Sequence, residues 1–123
     1  MKIAIPVKMD RENPPLAPLF GKAKWFAVVD NDDIKILKNE QSGGRAVIEW
    51  LNSLGINTII FQEMGYSPYE MIKEIATIDL FHAGYERVLL EDILEKFKND
   101  ELEIIDDTNI DGIIKHHEGK HSH

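Results

Sequence analysis

The 123-residue chain contains no cysteine, and that one absence removes disulfides, thiolate nucleophiles and the usual protein ligands of iron–sulfur clusters. Any metal must be held by histidine, carboxylate or backbone oxygen. Long hydrophobic runs are missing too. None approaches the roughly 20 apolar residues needed to span a bilayer, and Met1–Ile5 is too short an apolar block for a signal peptide and reads as a strand. A soluble, cytoplasmic protein is expected, with no membrane partner. Positive charge is scarce: 14 Lys and Arg stand against 22 Asp and Glu, for a net charge of −8. Nucleic-acid affinity rests on clustered cations, and these are dispersed, so no nucleic-acid partner is expected. There is no Gly-x-Ser-x-Gly elbow, no phosphate-cradling Gly-x-x-x-x-Gly-Lys and no dinucleotide fingerprint. The first strand carries no carboxylate before Asp10, so the inward acids of a metal-dependent nuclease are lacking as well. The expectation is a binding protein, not an enzyme.

What is present is ordinary globular material, 43% hydrophobic and 29% charged, at a length that gives one domain with a real core. Ile3 to Val7 reads as a buried strand and Trp25 to Asp30 as a second, rich in aromatic and β-branched residues. Asn31-Asp32-Asp33 makes a turn into a half-exposed third strand, Ile34 to Leu37, in which lysines alternate. Ala46, Val47, Trp50, Leu51 and Leu54 form the apolar stripe of a helix that Gly55 ends. Asn57 to Phe61 is a continuous apolar run of the kind buried on both faces of a parallel sheet. Ser67-Pro68-Tyr69-Glu70 has the form of a capping box with proline at the first helical position. A short strand at Ile78 to Phe81, a helix over about Val88 to Lys98 and a short strand at Glu101 to Ile105 complete the pattern. The order predicts an α/β fold: a mixed, mostly parallel sheet of about five strands with helices on both faces. Residues 1–114 form the domain, and 115–123 a flexible His-rich tail.

Ligands of open parallel sheets bind outside the carboxyl ends of the strands. That rule selects Lys8 and Asp10 after the first strand, Phe20 and Gly21 in the loop closing over the same edge, Glu63, Met64 and Gly65 after the fourth strand, and His82 after the fifth. Each has a structural reading beside the functional one: His82 as a hydrogen-bonded strand end, Met64 as packing, the glycines as sources of positive φ. Ser42-Gly43-Gly44-Arg45 is a cleaner anion candidate than the capped start at Ser67, but is expected on the opposite side of the sheet. Four of the five histidines, His116, His117, His121 and His123, crowd the last eight residues, a composition suited to Ni, Cu or Zn.

Taken together, KIAIPV at the start, LFGKAKWFAVVD, the Gly-Gly before the first helix, LGINTIIFQEMG and LLEDILEKFKNDELEII resemble, in order and spacing, the dinitrogenase iron-molybdenum cofactor biosynthesis family. The resemblance runs from about Met1 to Ile105. It implies a ribonuclease-H-like three-layer fold and a non-catalytic carrier that binds a metal cluster, metal ion or small anion. The implied cofactor is the iron-molybdenum cofactor or an iron–sulfur precursor, with a protein partner in cofactor assembly. Cofactor-carrying members tend to have a histidine before the Phe-Gly step, where this chain has Leu19. Two alternatives stay open: a cofactor-free interaction or regulatory module, and metal storage or delivery by the His-rich tail.

Overall fold

The alternation of Ile3, Ile5 and Val7 with Ala4 sends successive side chains to opposite faces of strand β1 (Lys2–Val7), and both faces are buried. The computed structural model describes residues 1–121, with side chains described as far as Glu118. β1 pairs antiparallel with β2 (Trp25–Asp30), which turns at Asn31-Asp32 into β3 (Asp33–Lys38). Asn31 takes the left-handed conformation, φ 56°, that this tight turn requires and that asparagine tolerates. Helix α1 (Gly44–Ser53) follows, then β4 (Thr58–Phe61), α2 (Tyr66–Ile75), β5 (Asp79–His82), α3 (Leu90–Lys98), β6 (Glu103–Ile105) and α4 (Ile110–His121). A single 3-10 turn covers Phe20–Lys22.

The sheet order is β3-β2-β1-β4-β5-β6. β1·β4 and β4·β5 are parallel, while β1·β2, β2·β3 and β5·β6 are antiparallel. The α/β class and its three layers are as expected. Six strands replace five, and parallel pairs are the minority because both flanks of the sheet are antiparallel. One face packs Phe26, Val28, Ile59 and Phe61 against Val47, Ile48 and Leu51 of α1, Tyr69 and Ile72 of α2, and Ile110, Ile113 and Ile114 of α4. The other packs Ile5, Val29 and Ile60 against Leu90, Ile93 and Leu94 of α3.

Three local expectations differ from the structure. α2 starts a residue before Ser67, with Gly65 as its N-cap and no side-chain cap, so the capping box at Ser67 and Glu70 is not formed. Gly65 itself lies at φ −79°, which any residue adopts. At the other end of the chain, the burial of α4 stops at Ile114, yet its backbone stays helical through Lys115 to His121. The helix is nucleated by a loop in which Asp106 accepts from the Thr108 amide while Asn109 bonds the Asp106 amide and the Ile104 carbonyl. It carries His116 and His117 back onto the body of the fold.

Candidate functional site

β3 is the third strand of a meander, so it runs in the same direction as β1 and β4. Helices α1 and α2, leaving the carboxyl ends of β3 and β4, therefore start at one edge of the sheet. This corrects the expectation that the Ser42-Gly43-Gly44-Arg45 start lies on the opposite side. Gly44 and, at the start of α2, Gly65, Ser67 and Pro68 line one cleft of about 490 Å³. Its lip is Leu19, Gly21 and Lys22, and its remaining walls are Glu63, Met64, Met71 and His117.

The lip is held by its own backbone. Glu63 N–H donates to the Pro18 carbonyl (2.9 Å) and Phe20 N–H to the Glu63 carbonyl (3.1 Å), a one-rung parallel bridge beside β4. Phe20 is 1% exposed and meets Phe26 edge to face at 5.8 Å. It anchors the loop, leaving Gly21 and Lys22 at the surface. Met64 is equally buried. Glu63 is 2% exposed, and its Oε1 lies 3.6 Å from Nδ1 of His117, which α4 brings across the cleft. The ring of His117 rests over Gly65.

The eight candidate binding residues thus divide. Phe20, Gly21, Glu63, Met64 and Gly65 meet at the cleft. Lys8 and Asp10 belong to an exposed loop away from it, where the Lys8 amide donates to the Pro15 carbonyl. His82 lies one strand over, with Nε2 2.9 Å from the Gln62 carbonyl. Its ring meets Tyr85 at 4.7 Å, and Tyr85 in turn stacks on His116 at 3.7 Å. Burial lowers the pKa of His82 against the opposing pull of its Gln62 hydrogen bond and the charge of Glu103. Burial also raises that of Tyr85, with the charges of Glu63 and Glu103 adding to the effect. Of the four candidate metal ligands, His116 and His117 separate to these two places. The His121 side chain and His123 lie outside the described residues.

Sequence reasoning overlooked Lys22 and set the α1 terminus on the wrong side of the sheet, for which the strand directions of the hairpin were the available signal. The contact of His117 with Glu63 depends on where α4 docks and had no local signal.

The first-turn amides of a helix have no intrahelical acceptor and favour negative charge. Two such termini, Lys22 and one imidazole offer donors to an anion or anionic cluster held as a whole by hydrogen bonds, against the opposing carboxylate of Glu63. They do not suit a cluster needing several protein ligands. Among the described residues no group of three His, Asp or Glu is placed to hold a metal ion, and no helix is long and apolar enough to cross a membrane.

The family model described as dinitrogenase iron-molybdenum cofactor matches residues 1–100, ending before β6 and α4. No curated protein matches. Among solved structures, the apo orange protein of Desulfovibrio gigas aligns with TM-score 0.74 at 16% identity, covering 85% of this chain and 92% of its own. A Thermotoga protein provisionally assigned as NifB, of the DUF35 family, aligns with TM-score 0.71 at 20% identity over 84% and 91%. A Methanocaldococcus jannaschii protein provisionally assigned as a dinitrogenase gives 0.65 at 20% identity over 85% and 94%. At these identities the likeness is one of fold.

Proposed function

Because this chain belongs to the dinitrogenase iron-molybdenum cofactor family, we propose that it is a non-catalytic carrier whose cargo, an anionic metal cluster or its small-anion precursor, sits in the cleft between the starts of α1 and α2. The observation that carries this reading is the convergence of two helix N-termini and Lys22 on one cleft. Gly21 and Gly44 leave the backbone open to close approach there, with nothing within 4 Å of where a Cβ would stand at either. His117 adds one imidazole, and the apolar walls at Leu19 and Met71 exclude water from one side of the cargo.

The test is anaerobic reconstitution with ferrous iron, sulfide and molybdate, followed by elemental analysis of the desalted protein. The wild-type chain is expected to retain iron or molybdenum, and Gly65→Asp to retain at least tenfold less. A Cβ at Gly65 meets only ordinary contacts, and aspartate is a good N-cap, so the variant folds while its carboxylate repels an anion. Retention equal in the two proteins, or absent from both, sinks the proposal.

A second reading, a cofactor-free interaction module, is supported by the opposite sheet edge. Met1 and Ile34 are exposed there beside an apolar groove of about 250 Å³ that includes Leu94 and Phe97. It expects no metal in either protein.

A further inference from the structure

The apolar stripe of α4 runs out at the cleft. Ile110, Ile113 and Ile114 stand at i, i+3 and i+4 and are buried in the core. The next position on that face, i+7, is His117, a part-exposed ring that lies 3.6 Å from where a Cβ on Gly65 would stand. Lys115, His116 and Glu118 around it are exposed. The helix thus has two parts: a first held by hydrophobic burial, and a turn over the cleft that meets the body through polar rings.

We propose that this turn, Lys115 to Glu118, is a lid that opens and closes over the Gly65 wall of the cleft, latched by the stacking of His116 on Tyr85, while residues 110–114 stay packed. The motion belongs to the fold; that it admits and releases cargo rests on the carrier reading above.

The latch lies outside the cleft. The ring of His116 stacks on Tyr85 with centroids 3.7 Å apart and planes 25° from parallel, and Tyr85 meets His82 edge to face at 4.7 Å. His82 in turn bonds the Gln62 carbonyl, one residue before the Glu63 wall of the cleft. Two rings therefore connect the turn to the backbone at the end of β4. Tyr85 is 43% exposed, so when the stack breaks its ring is left to water. Segments that open locally are those with few buried apolar contacts, and the change from isoleucine to histidine along one helix face sets that boundary at Ile114. α4 also includes Gly119, just beyond the turn, and glycine weakens a helix interior more than any residue but proline.

The experiment is amide hydrogen exchange of the full chain with no ligand added. Expected in Tyr85→Ala is exchange at least fivefold faster over residues 115–118 with residues 110–114 unchanged, and in Tyr85→Phe, which keeps the stack, exchange as in wild type. The chain has no cysteine, so Gly65→Cys supplies a single thiol below the His117 ring, at a site where a Cβ meets only ordinary contacts. Its alkylation by iodoacetamide is expected to be at least fivefold faster when Tyr85→Ala is added. Exchange that rises together over residues 110–118 means that the whole helix undocks, and overturns the lid; unchanged exchange or unchanged alkylation in Tyr85→Ala overturns it too. Neither readout involves cargo. A chain that gates in this way but retains no metal on reconstitution sinks the carrier reading alone, and one that retains metal without gating sinks the lid alone.

Discussion

The neutral state of His82 is the clearest single-residue consequence of the fold. A carbonyl can only accept, so Nε2, 2.9 Å from the Gln62 oxygen, must carry the proton. Burial of the ring then opposes a second proton and holds the pKa below its ordinary 6.5. A histidine with a depressed folded-state pKa contributes stability above the unfolded pKa and loses it as pH falls, because the unfolded chain takes up the proton more readily. Urea denaturation between pH 8 and pH 5 is expected to show falling stability in the wild-type chain and a flatter profile in His82→Gln, whose amide can still donate to Gln62. At pH 8 the variant should lie within about 1 kcal/mol of wild type, the scale of one hydrogen bond. A slope identical in both would show that other groups carry the acid sensitivity. The sequence reading admitted both a structural and a ligand role for His82; the geometry describes a ring packed among Phe61, Tyr85 and the Gln62 backbone.

At the scale of elements, α1 depends on a backbone conformation that only glycine adopts comfortably. Gly43, its N-cap, lies at φ 90°, ψ 153°, and a Cβ there would meet nothing within 4 Å. Gly43→Ala is therefore expected to destabilise through strain alone, by about 1–3 kcal/mol, measurable as a shift in the denaturation midpoint. A neutral result would mean the start of α1 relaxes freely. The elements themselves were largely legible, because strands β1, β2 and β4 are apolar runs with few competing signals and α1 and α3 carry strong apolar stripes. The start of α2 was not. Ser67 and Glu70 satisfy a local capping rule, but the loop from Glu63, tied to Pro18 and Phe20, delivers the chain into helix a residue earlier. Half of the cleft was legible for the same reason: Phe20, Gly21 and Glu63–Gly65 lie at strand ends, whereas Gly44 and His117 arrive there through strand direction and helix docking.

For the whole molecule, the family-matched residues 1–100 do not include all of the core. Ile105, Ile110, Ile113 and Ile114 are buried against Tyr69, Ile72 and Leu80. At about 1.5–3 kcal/mol per buried isoleucine these four contribute at most roughly 6–12 kcal/mol, comparable with the entire stability of a domain, about 5–15 kcal/mol. A fragment ending at residue 100 should therefore show no cooperative melt by circular dichroism, while one ending at Ile114 should melt close to the full chain. A stable 1–100 fragment would relegate α4 to an ornament. The sheet order has a temporal side too. β1 leaves the ribosome before the other five strands of its sheet, yet it ends in the middle, paired with β2 on one side and β4 on the other. The β1-β2-β3 meander can assemble as it is synthesised, but the second edge of β1 then waits with unpaired amides and carbonyls until α1 and β4 emerge. During translation, the centre of the finished sheet is for a time one of its open edges.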